Sequence, residues 1–199
     1  MTWSSSMIPV IAVLLVFFLG IFSVYNLLVR GRNQVKNAFA QIDVQMQRRF
    51  DLIPNLVETC KAYMQHEHDT LTQVAAARQQ AMAAQDVFKK DLSNSQAMNT
   101  LMQAEQKLHQ GMANVMAVVE SYPDLKADQT LQPLLEELAS TENRVGFARQ
   151  AYNDAVMEFN VTRESFPAVI FAGSLGFAAV QPWSLENQEA RQSVHVSFH

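Results

Sequence analysis

An uncharged apolar run near the N-terminus constrains the fold of this chain most strongly. The run, MIPVIAVLLVFFLGIFSVYNLLV, extends from Met7 to Val29, and no charged side chain precedes Arg30. It exceeds the ~20 residues that an α-helix needs to cross a bilayer, and Pro9 suits the first turn of such a helix. We therefore predict a transmembrane anchor bounded by Met7 and Val29.

The distribution of basic residues predicts the orientation of this anchor. Arg30, Arg32 and Lys36 follow the run, whereas no basic side chain precedes it. Basic residues beside a span favour the cytoplasmic side, so we expect residues from 30 onward in the cytoplasm and the N-terminus outside. The alternative is a cleaved signal peptide, which is disfavoured because such peptides carry a basic start and a shorter apolar core.

Helical periodicity dominates the chain from the anchor to Ser165. Apolar residues recur about every 3.6 positions, and nothing before the C-terminal tail has the pattern of a strand. Turns are predicted at KKDLSNS, where Ser93 or Asn94 can cap a helix, and at ESYPDLKADQT, where Asp128 can. The predicted fold class is therefore all-α. The chain divides into an anchor, a helical bundle, an apolar segment and a tail, at residues 1–29, 30–165, 166–185 and 186–199.

The stretch RRFDLIPNLVETC leaves the number of bundle helices open. Asp51 is a good N-cap and Pro54 removes a backbone donor, which favours a new helix starting here. Apolar residues nevertheless keep one helical phase across the proline, as a kinked continuous helix would. A continuous helix predicts three legs, near 30–86, 95–121 and 129–165. A reversal at Asp51 predicts four legs and returns Phe166 to the membrane side.

Two charged residues fall on apolar helical faces. Arg49 lies on the stripe that crosses Pro54, and Glu142 lies on the apolar face of the last long helix. Because a buried charge needs a partner, we predict that Arg49 and Glu142 pair across the bundle; the alternative places one or both at a solvated edge. Together with Asp51 and Pro54 they are the candidate structural residues. Cys60, the single cysteine, is expected to be a buried thiol.

The uncharged segment SFPAVIFAGSLGFAAVQPW admits three interpretations. Its glycines and prolines disfavour a second span, which leaves a short apolar helix or loop folded onto the bundle, or an interfacial or partner-binding patch. The tail SVHVSFH alternates apolar and polar residues, as a flexible tail or a pairing strand would. The candidate patch residues are Phe166, Pro167, Ile170, Phe171, Phe177 and Trp183.

Composition and motifs argue against several functional classes. The net charge is −4 and no basic stripe follows any helix, which disfavours a nucleic-acid partner. In QHEHD, His66 and His68 would point ~200° apart on a helix, so we expect no metal site. No phosphate-binding loop and no nucleophile motif occurs. We therefore expect no catalytic residue and no cofactor.

With these residues laid out, the chain resembles the LemA family from about Tyr25 to Trp183. The resemblance rests on four stretches in this order: YNLLVRGRNQVKNAFAQIDVQMQRRFDLIPNLVETCKAYMQHE, SYPDLKAD, LLEELASTENRVGFARQAYNDAVMEFN and FPAVIFAGSLGF. It implies a bacterial inner-membrane protein with one N-terminal span, a cytoplasmic, up-and-down antiparallel four-helix bundle and no enzyme activity. The chain departs from the family where AAVQPW replaces the usual basic and aromatic residues.

The leading functional expectation is a non-catalytic membrane-anchored scaffold that self-associates or holds partners at the cytoplasmic membrane face. The alternative is a membrane-surface sensor or membrane-shaping protein that binds lipid through residues 166–183; an enzyme is less favoured. The expected partners are membrane lipid, further copies of this chain and other membrane proteins.

Overall fold

The computed structural model describes residues 3–64, 67–126 and 128–184, so the predicted pairing of the tail lies outside the described residues. These ranges contain helices and no strand, which confirms the all-α fold class. The helices are α1 (Trp3–Lys61), α2 (His68–Lys90), α3 (Ser95–Val119), α4 (Pro123–Lys126), α5 (Leu131–Glu164) and α6 (Ala168–Phe171).

Helix α1 passes through Pro54 without ending, so the predicted new helix at Asp51 is wrong. Asp51 lies inside α1, where its carboxylate accepts a hydrogen bond from Gln47 Nε2 at 2.9 Å. Phe50 and Ile53, on either side, are fully buried on the same stripe. Because this stripe is buried without interruption, a single helical phase across Pro54 is favourable. Pro54 itself is exposed to solvent.

The reversal occurs instead between the end of α1 at Lys61 and the start of α2 at His68. Helices α1, α2, α3 and α5 form the four long legs among the described residues, so the three-leg prediction is wrong and the antiparallel four-helix bundle is confirmed. Helix α5 packs along α1, α2 packs on α3, and α2 also contacts α1. The hydroxyl of Tyr63 donates to Asp128 Oδ2 at 2.8 Å and joins two turns at the end of the bundle far from the anchor.

Of the predicted caps, Asn94 is the N-cap of α3, whereas Asp128 lies two residues before Thr130, the N-cap of α5. Asn94 Oδ1 accepts from the backbone N–H of Ala97 at 3.0 Å at the start of α3. Asp128 Oδ1 accepts from the N–H groups of Thr130 and Leu131 at 2.7 and 3.1 Å. Each cap satisfies amides that have no partner within the helix and so fixes where the leg starts.

A single apolar core runs from the membrane side to the far end of the bundle. Near its middle the Phe39 ring packs edge-on against Phe88 and Tyr152, with centroids 5.1 and 6.0 Å apart. The largest fully buried side chains are Tyr152, Phe50, Phe88, Phe159, Phe177, Leu28, Ile42, Met46, Ile53, Leu56, Met64 and Met98.

Two helical glycines are expected to respond oppositely to alanine. A Cβ at Gly146 would meet nothing within 4 Å, so Gly146→Ala should raise the free energy of unfolding by about 0.5–1 kcal/mol through helix propensity. A Cβ at Gly31 would lie 3.0 Å from Phe159 Cδ2, and this close contact opposes the same gain. Urea unfolding of both variants in detergent, followed by circular dichroism, measures the difference. Equal gains would contradict the close packing of α1 on α5.

Candidate functional site

The N-terminal part of α1 exposes nearly all of its apolar side chains. This helix is long and apolar enough to cross a membrane, and only 6% of its most apolar stretch is buried. A core helix of a soluble protein would be mostly buried, so this surface needs an apolar environment. Of the two predicted bounds, Val29 is half-buried and Met7 lies within α1. The exposed residues include Val10, Ile11, Val13, Leu14, Leu15, Val16, Phe17, Phe18, Leu19 and Phe22.

Residues 165–176, here called the apolar hook, return to this surface. The Phe171 ring packs edge-on against Phe17, with centroids 6.4 Å apart. Ala168 and Ala172 are buried, whereas Phe166 and Ile170 are 81% and 60% exposed. The hook therefore presents one side to α1 and an apolar side outward, and Phe166 returns to the anchor side as the four-leg topology predicted.

The contact with Phe17 sets how far the hook reaches along the anchor. By the ~1.5 Å rise per residue of an α-helix, Phe17 lies ~18 Å along the axis from Val29. The hydrocarbon core of a bilayer is ~30 Å thick. In a bilayer spanned by residues 7–29, the tip of the hook would therefore lie near the midplane, and the exposed Phe166 and Ile170 would face lipid.

The candidate patch divides into an exposed part and a buried part. Phe166, Pro167 and Ile170 are exposed, and Phe171 is half-buried against α1. Phe177 and Trp183 are only 2% and 3% exposed. The structure thus combines two of the interpretations: the first half of the segment is a surface patch and the second half folds onto the bundle.

Residues 177–184, here called the strap, lie along α5 and are held by two asparagines. Asn160 Nδ2 donates to the carbonyl of Val180 at 2.8 Å, and its Oδ1 accepts from the Val180 N–H at 3.1 Å. Asn153 repeats the pattern on Trp183, with distances of 3.0 and 2.7 Å. Each amide therefore satisfies both backbone groups of one strap residue, as a neighbouring strand would.

Further side chains of α5 fix the strap. Arg163 Nε donates to the carbonyl of Phe177 at 2.9 Å, and the Tyr152 hydroxyl donates to the carbonyl of Gln181 at 3.1 Å. Burial raises the pKa of Tyr152, so its phenol stays a neutral donor. The Arg149 guanidinium lies over the Trp183 ring, 5.4 Å from its centroid. The strap thereby holds the hook at a fixed place beside the anchor.

The predicted pair of Arg49 and Glu142 lies in the bundle and includes a third residue. Arg49 Nη1 donates to Glu142 Oε2 at 2.6 Å, and Arg49 Nη2 donates to the carboxylate of Glu105, which is 4% exposed. Burial disfavours the guanidinium charge, but the two carboxylates more than offset this and raise the pKa of Arg49. Arg149 Nη2 and His109 Nδ1 lie 3.4 and 3.8 Å from Glu142 Oε1.

A groove between α3 and α5 adjoins this charged cluster. A cavity of about 130 Å³ is lined by the cluster itself, and a neighbouring apolar cavity of about 230 Å³ shares Arg49, His109 and Glu142. Arg49 of α1 contacts Glu105 of α3 and Glu142 of α5, so the cluster links three helices. The apolar cavity is lined mainly by Leu108, Met112, Ala113, Met116, Leu135, Leu138 and Ala139.

Among the residues that the structure describes, no three metal-binding side chains converge. Of the QHEHD stretch, His66 lies outside the described residues. His68 begins α2, and its Nδ1 lies 3.2 Å from the Thr72 hydroxyl. The residues that line the charged cluster include no hydroxyl or thiol that could serve as a nucleophile.

The Cys60 thiol is expected to be unreactive in the folded protein. It is fully buried, and burial raises its pKa to about 11. At pH 8 roughly a thousandth of such a thiol is ionised, and the thiolate is the reactive form. Titration with a thiol-reactive disulfide dye should give slow release that becomes rapid in urea. Rapid reaction without urea would contradict the burial.

Comparison with known families supports the resemblance noted from the sequence. The model of the LemA family matches residues 38–198, which include the charged cluster, the hook and the strap. The chain belongs to the LemA family. The match begins after Val29. It therefore includes most of the bundle of this LemA protein but not the apolar N-terminal part of α1.

Curated LemA-type relatives include magnetosome proteins. Magnetosome protein MamQ of Magnetospirillum gryphiswaldense is 23% identical over 172 residues, which cover 79% of this chain and 63% of the relative. Magnetosome protein MamQ 2 of Paramagnetospirillum magneticum is 25% identical over 168 residues, covering 77% and 62%. The chain thus spans less than two thirds of the relatives that it matches.

Sequence reasoning missed several residues that hold the site together. Glu105 could have been found, because it falls at helical spacing between the buried Leu101 and Leu108. Asn153 and Asn160 lie seven residues apart and hence on one helix face. This spacing indicates a polar stripe on α5 but does not identify the groups that the stripe binds. The strap carbonyls that they bind have no signal in the sequence.

Proposed function

We propose that this LemA protein is a non-catalytic, single-pass membrane scaffold that shapes the bilayer on its cytoplasmic side. Helix α1 anchors the chain, the bundle stands in the cytoplasm, and the hook occupies the cytoplasmic leaflet beside the anchor. The observation that carries this proposal is the packing of Phe171 on Phe17 with Phe166 and Ile170 exposed beside it.

The proposed mechanism is asymmetric insertion. The anchor occupies both leaflets equally, whereas the hook adds apolar volume only as far as the midplane. Apolar groups inserted into one leaflet expand it relative to the other, and such binding is sensitive to curvature. The strap contributes because Asn153 and Asn160 hold the hook at a constant depth.

Orientation and cellular place are parts of the same proposal. Arg30, Arg32 and Lys36 follow the anchor and support a cytoplasmic bundle at the bacterial inner membrane. The matched relatives are magnetosome proteins, and we extend from them only an association with membranes. Association between copies is also proposed, since several anchored bundles would add their hooks on one membrane patch.

Vesicle reconstitution tests membrane shaping. The full chain is inserted into phosphatidylcholine vesicles, and vesicle diameters are measured by cryo-electron microscopy. Val169→Ser/Ile170→Ser replaces two exposed hook residues and should return the diameters towards those of protein-free vesicles, because serine disfavours insertion. The wild-type chain should shift the distribution to smaller diameters.

The matched control replaces exposed apolar residues outside the membrane region. Val44 and Phe147 are 59% and 73% exposed on the cytoplasmic parts of α1 and α5. Val44→Ser/Phe147→Ser should behave as the wild type. Equal diameters for wild type and hook variant at equal protein density would contradict membrane shaping.

A further inference from the structure

A second surface lies where the bundle meets the anchor. A cavity of about 520 Å³ is lined by α1, α5, the α2–α3 turn and the start of the strap. Its inner wall is apolar and includes the buried Val35, Phe39, Phe159 and Phe177. Its rim is basic and is formed by Arg32, Lys36, Lys89 and Lys90.

Within the described residues, most cations of the basic rim take part in no ion pair. Among the described residues, Arg32, Lys36 and Lys90 form no ion pair, and all three are exposed. Lys89 is the exception, since its Nζ contacts Asp43 Oδ2 at 2.5 Å. The other acid of the cavity, Asp91, accepts from the N–H and hydroxyl of Ser93, and these bonds lower its pKa.

The usual structural reason for such lysines explains only half of the rim. Lys89 and Lys90 end α2, where cations complement the negative end of the helix dipole. Arg32 and Lys36 lie instead within α1, far from either end of that helix. The Arg32 guanidinium lies over the Phe177 ring, 4.9 Å from its centroid, and both residues line the cavity.

The height of the rim matches the lipid headgroups. By helical rise, Arg32 lies ~5 Å and Lys36 ~10 Å beyond Val29 along α1. Headgroups occupy roughly 5–8 Å on each side of the hydrocarbon core. A phosphate attached to a lipid in the cytoplasmic leaflet would therefore lie at the level of Arg32, and the long Lys36 side chain could reach it from just beyond the headgroup layer. Its acyl chains would run along the exposed surface of α1.

We propose that the cavity between Arg32, Lys36 and Lys90 binds the phosphodiester headgroup of an anionic glycerophospholipid. The inference rests on the proposed anchoring of α1, which brings the cavity to the headgroup layer. It adds a lipid specificity that insertion of the hook does not require. A free phosphate has the same anionic chemistry but lacks acyl chains to place beside the anchor.

Native mass spectrometry of the full chain in neutral detergent tests the proposal. Phosphatidylglycerol and phosphatidylcholine are titrated separately, and lipid-bound protein is counted. The wild type should bind one phosphatidylglycerol at least tenfold more tightly than phosphatidylcholine. Lys36→Gln/Lys90→Gln should weaken phosphatidylglycerol binding roughly thirtyfold, as expected for two cations near a membrane surface, and leave phosphatidylcholine binding unchanged.

The control removes the same charge elsewhere. Lys61 and Lys107 are exposed and lie outside the cavity, so Lys61→Gln/Lys107→Gln should bind phosphatidylglycerol as the wild type does. Equal loss in both double variants would overturn the site in favour of net charge. Retention of each protein in membranes after an alkaline carbonate wash separates this result from a failure of anchoring.

Inorganic phosphate distinguishes the source of the anion. Phosphate at 10 mM should displace little phosphatidylglycerol, because it gains nothing from the apolar surface of α1. Tight phosphate binding that depends on Lys36 and Lys90, without selectivity for phosphatidylglycerol, would overturn the lipid assignment. Thermal unfolding of the variants should match the wild type, since all substituted lysines are exposed.

Discussion

Replacing Arg49 with methionine is expected to lower the free energy of unfolding by about 3–5 kcal/mol. The change leaves the carboxylate of Glu105, only 4% exposed, without its cation and removes one of the cations beside Glu142, which keeps Arg149. Urea unfolding in detergent, followed by circular dichroism, measures the loss. The effect is large because an unpaired buried charge costs far more than the pair contributes.

The adjacent arginine provides the matched control. Arg48 pairs with Glu137 at 2.5 Å on the surface, where its side chain is 50% exposed, so Arg48→Met should cost less than about 1 kcal/mol. Adding Glu105→Leu to Arg49→Met should recover much of the loss, because the uncompensated carboxylate is removed. Equal stability of Arg49→Met and the wild type would show that the pairing does not support the fold.

Replacing both strap asparagines should release the strap from α5. Asn153→Leu/Asn160→Leu removes four hydrogen bonds to the backbone of Val180 and Trp183, at a cost of about 2–4 kcal/mol. In a Trp3→Phe background, the emission of Trp183 should shift to longer wavelength as the indole becomes hydrated. Emission measured as a function of urea should show this shift before the helices unfold.

The control for the strap is an asparagine with only an exposed partner. Asn114 Oδ1 accepts from Gln110 Nε2 on the surface of α3, so Asn114→Leu should change stability by less than about 0.5 kcal/mol. Buried Trp183 emission in the double variant would contradict the proposal that the two amides hold the strap.

Helix order and continuity follow from local patterns in this sequence. The unbroken apolar phase around Pro54 predicted a continuous α1, and the structure confirms it. The same stretch suggested a cap at Asp51, which is not used, because burial of Phe50 and Ile53 outweighs a capping preference. Four legs arise because the chain reverses between Lys61, where α1 ends, and His68, where α2 begins.

The division of residues 166–184 could not be predicted in the same way. Composition is uniformly apolar and uncharged there, so neither periodicity nor charge separates the exposed hook from the buried strap. The separation depends on α5 side chains such as Asn160, whose partners are backbone groups without any residue-type signal. The pairing of Arg49 with Glu142 could be predicted because each charge interrupts an apolar helical face. The groove beside them could not, because it depends on the relative placement of α3 and α5.

The depth of the hook in a bilayer distinguishes a hook that faces lipid from one that faces protein. An indole is introduced by Ile170→Trp in a chain whose two native tryptophans are replaced, Trp3→Phe/Trp183→Phe. Phenylalanine suits position 183 because the Trp183 Nε1 has no hydrogen-bond partner among the described residues. The full chain is placed in vesicles whose lipids carry bromine at shallow or deep acyl positions. A matched Phe147→Trp variant reports on the bundle.

We expect bromine at the deep acyl positions to quench the indole introduced by Ile170→Trp strongly, and neither position to quench the Phe147→Trp variant. This result would place the hook inside one leaflet beside α1. If neither bromine position quenched the indole introduced by Ile170→Trp while α1 remained in the membrane, insertion of the hook would be contradicted. The hook would then be assigned to contacts with protein.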